Sequence, residues 1–122
     1  MNPMPLLMRA ARLAESLPGA AQEFALGAVG LRADGALVHS TNKAIRIGRT
    51  PSGGAPERLW ATHAELRLCR KLDAGATVFV ARIARDGTWA LARPCPQCLN
   101  RLHHQRVRRV FFTTGPAEYG IL

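Results

Sequence analysis

The sequence is poor in acidic residues, in aromatic residues and in cysteine. It has 8 Asp and Glu against 17 Lys and Arg, which leaves a net charge of +9. A chain this basic is expected to attract polyanions or phosphorylated ligands. The charge does not distinguish a free nucleotide from a nucleic acid, and a solvated basic surface without any partner would also explain it.

Only three cysteines occur, and two of them form a close pair, Cys95 and Cys98. An odd count with one close pair argues against a disulfide scaffold and favours metal binding in a reducing compartment. We therefore expect a cytoplasmic protein. The sequence also lacks an apolar run long enough to span a bilayer, so no membrane partner is expected. The length suits one domain over residues 1–122.

Hydrophobic periodicity predicts three helices and four main strands in an α/β order. The predicted helices cover 4–17, 61–72 and 96–104, and the predicted main strands cover 24–31, 37–40, 77–83 and 107–113. The segment 88–92 is predicted to run back toward the cysteine pair. Asp34-Gly35 and Asp86-Gly87 are predicted tight turns. Gly27 and Gly30 weaken the first strand and predict either a bulge or a close backbone approach.

The stretch from Thr41 to Trp60 has no clear periodicity and is rich in glycine, proline and arginine. A loop this long in a compact domain is usually functional or disordered. It directly precedes His63, a candidate metal ligand, so we predict a substrate-facing loop. A surface loop without a role is the alternative. Trp60 is a candidate for stacking on a base, or alternatively for packing within the fold.

Two short motifs contain the residues suited to chemistry, Thr62-His63-Ala64-Glu65 and Pro94-Cys95-Pro96-Gln97-Cys98. Each has an ordinary explanation when taken alone. Thr62 and Glu65 have the spacing of a helix-capping box. The Cys-x-x-Cys is compatible with half a structural zinc knuckle or with a redox pair. The two motifs in this order are much more specific than either one.

Together the motifs offer the ligands of a catalytic zinc ion. A thiol at a helix start, as predicted for Cys95, has a lowered pKa, and Cys98 lies one turn further on the same side. His63 would be the third ligand, and catalytic zinc typically has three protein ligands with a water in the fourth position. Glu65 is not needed as a ligand, and we predict that it transfers protons between this water and the substrate.

His-x-Glu followed by Pro-Cys-x-x-Cys resembles the cytidine/deoxycytidylate deaminase superfamily, over roughly residues 24–114. The resemblance implies a three-layer α/β/α sandwich with a mixed sheet in the strand order 2-1-3-4-5. It implies a zinc cofactor on His63, Cys95 and Cys98, with Glu65 as the proton shuttle. It also implies that Asn42 contacts the sugar and that the backbone amide of Ala64 faces the base. Asn42 could equally cap a turn.

The sequence differs from this family at its C-terminal side, because few residues follow the predicted strand 107–113. We expect a C-terminally short sheet in which the fifth strand is absent or very short. An exposed edge at Val110–Thr113 would then invite pairing with another chain, so a homo-oligomer is expected. The turn at Asp86-Gly87 resembles small phage and bacterial family members.

Three functions stay open from the sequence. The first is a zinc-dependent hydrolytic deaminase for cytosine in a nucleoside, a nucleotide or a single-stranded nucleic acid. The second is an adenine or guanine deaminase. The third is a non-catalytic, zinc-stabilised module that binds nucleic acid through its arginines.

Overall fold

The computed structural model describes residues 2–16, 25–41, 43–45, 60–62, 64–84 and 86–122, with the backbone alone at 43–45, 60–62, 65 and 66. The elements of this part of the chain are α1 (Met4–Glu15), β1 (Ala25–Leu31), β2 (Leu37–Thr41), β3 (Lys43–Ile45), β4 (Trp60–Thr62), α2 (Ala64–Cys69), β5 (Thr77–Ile83), β6 (Trp89–Ala90), α3 (Pro96–His104), β7 (Arg109–Gly115) and β8 (Glu118–Ile121).

The main sheet is mixed and has the order β2-β1-β5-β7-β8, with β6 also paired to β5. Strand β1 is antiparallel to both β2 and β5, β5 is parallel to β7, and β8 is antiparallel to β7. When β6 and the separate β3–β4 pair are set aside, this is the expected order 2-1-3-4-5. The prediction of an α/β mixed sheet is confirmed.

Successive side chains along each strand point to opposite faces of the sheet. They form two separate buried clusters, one on each face. Phe79 and Phe111 pack with α1 on one face, and their rings stack with centroids 5.3 Å apart. Val78, Val80 and Phe112 pack on the other face with residues of α2 and α3, including Leu68 and Leu102. Helix α1 therefore forms one outer layer, and α2 and α3 form the other, as the α/β/α sandwich requires.

Gly27 allows α1 to lie directly against β1. A Cβ at this position would be 2.0 Å from the backbone oxygen of Ala10 and 3.1 Å from the backbone nitrogen of Ala14. The register of β1 with β5 continues without interruption through Gly27. Of the two explanations for this glycine, the close backbone approach is correct and the bulge is wrong.

The turn between β1 and β2 forms at Asp34-Gly35, as predicted. Gly35 has a φ of +92° and donates its amide hydrogen bond to the carbonyl of Arg32. The amide of Ala36 donates to the Asp34 carboxylate, and this bond, followed by the charge of Arg32, lowers the pKa of Asp34. The loop is longer than the predicted two-residue turn, because Leu31 and Leu37 are the last paired residues.

The turn after β5 repeats this arrangement at Asp86-Gly87. Ala84 donates to the carbonyl of Thr88, and Gly87 has a φ of +86°. The hydroxyl of Thr88 donates to the Asp86 carboxylate at 2.6 Å and the Thr88 amide donates at 3.0 Å. Both bonds favour the ionised form, so they lower the pKa of Asp86.

Helix α3 has the predicted bounds, whereas α2 is shorter than predicted. Helix α2 was expected to begin at Ala61, but Trp60–Thr62 pairs with Lys43–Ile45 as a short antiparallel ladder. These two segments lie at opposite ends of the stretch predicted to be a loop. The long-range pairing takes precedence over the local helical pattern, so α2 begins at Ala64.

The expectation of an exposed edge at Val110–Thr113 is wrong. Strand β8 covers this edge, with Phe111 paired to Ile121 and Thr113 paired to Tyr119. The fifth strand is present and short, with four residues. The outer edge of the sheet on this side is therefore β8.

None of the helices in the described ranges has the length and apolar character needed to cross a membrane.

Candidate metal and substrate site

The topology brings the starts of α2 and α3 to the same edge of the sheet. Strands β2, β5 and β7 run in one direction, because β2 and β5 are both antiparallel to β1 and β7 is parallel to β5. Helix α2 lies between β2 and β5 in the chain, and α3 lies between β5 and β7. Each crossover helix therefore starts at the carboxyl ends of the strands, which is where ligands commonly bind in open α/β sheets.

Contacts between the two helices agree with this direction. The side-chain amide of Gln105, at the C-terminal end of α3, donates a hydrogen bond to the backbone carbonyl of Cys69, the last residue of α2. Since the two helix ends meet, the helices run in the same direction side by side. Ala64 and Leu68 of α2 are buried in one cluster with Leu102 of α3. The segment beginning at Ala64 and the segment beginning at Pro96 thus lie on the same side of the molecule.

The cysteine pair is at the start of α3, as predicted. Cys95 is the N-cap residue with extended backbone (φ −67°, ψ 163°), and Pro96 takes the first helical position, where it loses no helical hydrogen bond. Cys98 is fully buried, whereas Cys95 is partly exposed. The helix start holds one sulfur inside the fold and leaves the other accessible.

The Sγ atoms of Cys95 and Cys98 are 3.3 Å apart. This exceeds the S–S bond length of about 2.05 Å in a disulfide. Two thiolates on a tetrahedral zinc ion with Zn–S bonds of about 2.3 Å would be about 3.8 Å apart. The observed Sγ–Sγ distance is therefore about 0.5 Å shorter than that of two sulfur ligands on one zinc ion. The donor chemistry of the pair fits zinc.

Hydrogen bonds from Thr113 position the segment that leads to the cysteines. The Thr113 hydroxyl donates to the Ala90 carbonyl at 2.6 Å and accepts from the Arg82 amide at 3.2 Å. The Thr113 carbonyl accepts from the Ala92 amide at 2.9 Å. Thr113 thus connects β5, β6 and β7 just before the chain reaches Cys95. Sequence reasoning missed this residue, since a threonine at the end of an apolar strand gives no signal of its contacts.

The remaining predicted site residues are only partly covered by the described structure. His63 and Asn42 lie outside the described residues, and Trp60 and Glu65 are described by their backbone alone. Ala64 is described and is fully buried at the first position of α2. Within the described ranges, no three His, Cys, Asp or Glu side chains come together as a metal site. The predicted third ligand, His63, is not among these residues, so the ligand set stays a prediction.

No protein-family model and no curated protein matches this sequence. The structure does match solved chains, among them a dCMP deaminase from the cyanophage S-TIM5 in its apo form. The TM-score is 0.61 at 16% sequence identity, and the match covers 93% of this chain and 86% of that chain. At this identity the match establishes the fold. The predicted α/β/α architecture is therefore confirmed.

Proposed function

We propose that this chain is a zinc-dependent hydrolytic deaminase acting on cytosine in a nucleoside, a nucleotide or a single-stranded nucleic acid. One observation supports this most strongly. Two crossovers bring the start of α2 at Ala64, the middle residue of the His-Ala-Glu motif, to the sheet edge at which the Cys95 and Cys98 sulfurs lie 3.3 Å apart. The fold shared with a dCMP deaminase agrees with this proposal.

In this proposal His63, Cys95 and Cys98 hold the metal. Two thiolates and one neutral imidazole would balance the charge of Zn²⁺, and the metal, when bound, would supply a water of lowered pKa. The metal thus needs no protein carboxylate, which leaves Glu65 available for proton transfer.

Glu65 takes the proton from the attacking water and passes it to the ring nitrogen next to C4 of cytosine. The water oxygen forms a bond to C4. The bond from C4 to the exocyclic amine then breaks, and Glu65 delivers the second water proton to the leaving amine. Cytosine and water are converted to uracil and ammonia, and Glu65 ends in its starting protonation state.

Three further residues are proposed to hold the substrate. Asn42 follows β2 directly and is assigned to the sugar, and Trp60 is assigned to stacking on the base. The backbone amide of Ala64 is assigned to a hydrogen bond with the base, because the first amides of a helix have no acceptor within the helix. Ala64 has no exposed surface, so a larger residue there would have to displace its neighbours.

A homo-oligomer remains part of the proposal, with a different edge from the one first expected. Strand β8 is now the outer strand, and its Tyr119 and Ile121 are 40% and 56% exposed. An edge strand with exposed apolar side chains is suited to pairing with a second copy. We also place the protein in the cytoplasm, where the thiols needed for zinc stay reduced.

The test is to incubate the zinc-loaded protein with cytidine, deoxycytidine, their monophosphates, adenosine and single-stranded DNA, and to measure ammonia and the deaminated base. We expect product from at least one cytosine substrate. The Glu65→Gln variant should keep its zinc and its fold and lose activity by a factor of at least about 100, the range expected for a general acid–base residue. Product from adenosine alone would select the adenine deaminase. A zinc-loaded protein inactive on every substrate would support the non-catalytic module.

A further inference from the structure

A cavity of about 1050 Å³ lies between β2, α2 and α3 and has a strongly basic lining. We call it the basic cavity. Its basic residues are Arg67, Arg70, Lys71, Arg101 and His104. All five are exposed, so their side chains face solvent or a ligand. Among the residues whose side chains the structure describes, no Asp or Glu lines the cavity.

Two of these cations are held in place without being neutralised. The guanidinium of Arg67 donates to the Thr41 carbonyl at 2.7 Å, and the Lys71 ammonium donates to the His39 carbonyl at 2.7 Å. A carbonyl orients a cation but leaves its net charge intact. The ion pairs found among the described residues join Arg32 to Asp34 and Asp73, and neither carboxylate lines the cavity. The basic cavity is therefore an organised set of positive charges.

A buried hydroxyl in the same cavity has no hydrogen-bond partner. Ser40 lines the cavity, is 8% exposed, and its Oγ finds no donor or acceptor in the described part of the chain. A buried polar atom without a partner is costly, and native proteins usually satisfy such atoms. A hydroxyl beside several cations is suited to donate to an anionic oxygen, which gives a second indication of an anionic ligand.

The lining favours the sugar–phosphate backbone of a nucleic acid over its bases. Four permanently charged side chains point to several phosphates, whereas no aromatic side chain of the described residues lines the cavity to stack a base. The volume is at the upper end for small-ligand pockets, so it suits more than one nucleotide. A flexible single strand can enter a concave cavity, whereas a duplex presents a convex backbone.

We propose that the basic cavity binds the phosphate backbone of single-stranded nucleic acid. Gln97 also lines it, and Gln97 lies between Cys95 and Cys98 in the first turn of α3. A strand in the cavity would thus pass close to the cysteine pair. The binding itself does not require deamination. The further step, that the strand presents its cytosine to the site, rests on the proposed function.

The test measures binding of a fluorescent oligothymidylate of about 16 nucleotides, the upper site size for single-strand binders, over a salt series. Thymine has no exocyclic amine, so the result is independent of any deaminase activity. Four phosphate contacts predict a slope of log K against log salt of about −3, at about −0.7 per contact. Absence of binding at low salt, or a slope near zero, would overturn the proposal.

The decisive variant is Arg70→Ala/Arg101→Ala. These side chains make no hydrogen bond or ion pair with the described part of the fold, so their removal should leave stability unchanged. We expect the slope to become less steep, at about −1.4, and the affinity to decrease about 25-fold at 0.1 M salt. The matched control is Arg9→Ala/Arg12→Ala, which removes the same charge from exposed positions of α1 on the opposite face of the sheet. Equal losses in both variants would mean unspecific attraction and would overturn the proposal.

Two more measurements identify the ligand. Ser40→Ala should weaken binding about fivefold with little change in slope, because it removes a hydrogen bond and not a charge. A duplex of the same length and free thymidine monophosphate at equal phosphate concentration should both compete poorly. Strong competition by the duplex would mean that the surface binds any nucleic acid, and strong competition by the monophosphate would mean a single-phosphate site. Either result would overturn the single-strand proposal.

Discussion

Replacement of Thr113 tests whether the hydrogen bonds behind the cysteine pair hold the sheet together. Thr113 is fully buried, and its hydroxyl donates to Ala90 at 2.6 Å and accepts from the Arg82 amide at 3.2 Å. Valine has nearly the same shape but cannot make either bond. The Thr113→Val variant therefore removes the bonds without opening a void.

The cost can be worked out from these two contacts. The partly buried Ala90 carbonyl loses its donor at a cost of about 1–3 kcal/mol, and the longer bond contributes about 0.5–1.5 kcal/mol. We expect Thr113→Val to lower the free energy of unfolding by about 3 kcal/mol. Thr113→Ser keeps both bonds and loses one buried methyl group, which costs about 1 kcal/mol. The serine variant is the matched control.

Urea denaturation followed by circular dichroism measures both values. With an m-value of about 1.5 kcal/mol/M, the unfolding midpoint should fall by about 2 M for valine and by less than about 1 M for serine. Since the Thr113 hydroxyl holds the Ala90 carbonyl in the segment that leads to the cysteines, the valine variant should release bound zinc to a chelator faster. If the Thr113→Val variant is as stable as Thr113→Ser, or more stable, the hydrogen bonds of the hydroxyl do not stabilise the sheet.

Other predictions concern the helix layer, a turn and the metal. Gly27→Ala should destabilise the fold by about 3 kcal/mol because its Cβ would lie 2.0 Å from the Ala10 oxygen, whereas Gly115→Ala, with its nearest atom at 3.6 Å, should be tolerated in the same urea assay. Asp86 has a lowered pKa, so it stabilises the fold above pH 3.8 and loses this effect as the pH falls through its folded pKa. Wild type should be more stable than Asp86→Asn at pH 6 but not at pH 2, and a difference that persists at pH 2 would contradict this. Added zinc should raise the melting temperature of chelator-treated wild type, but not that of Cys98→Ser; equal shifts would place the metal elsewhere.

Elements with strong local signals could be predicted from the sequence, often to the residue. Helix α3 has the predicted bounds because Pro96 can only begin a helix and the apolar positions repeat behind it. Strand β5 also has its predicted bounds, as a β-branched and apolar run that ends before a turn. Here local propensity, hydrophobic pattern and tertiary packing all favour the same structure.

Contacts between distant segments decided the elements that could not be predicted. Ala61 and Thr62 were predicted to begin a helix, yet the backbone of Trp60–Thr62 pairs with Lys43–Ile45. Strand β8 is short and has no alternation of its own, and it forms by pairing with β7. Neither pairing can be recognised in a local window, because strand pairing depends on the partner strand.

The candidate site likewise has one part that could be predicted from local sequence and another that could not. The Cys-x-x-Cys spacing predicted two sulfurs on one side of a helix start, and the structure has them there. The role of Thr113 and the convergence of cations around Ser40 involve residues from three or more elements, so the sequence contains no local pattern for them. The roles of His63, Glu65, Asn42 and Trp60 stay predictions from motif and family resemblance.

The most direct test of the account is X-ray absorption spectroscopy of the zinc-loaded protein. Coordination by Cys95, Cys98, His63 and a water predicts one zinc ion per chain, with two sulfur neighbours at about 2.3 Å and two nitrogen or oxygen neighbours at about 2.0 Å. In His63→Ala, the signal of the imidazole ring should disappear while both sulfurs remain. A site without sulfur, a site with more than two sulfurs, or an imidazole signal unchanged in His63→Ala would contradict the proposed metal centre.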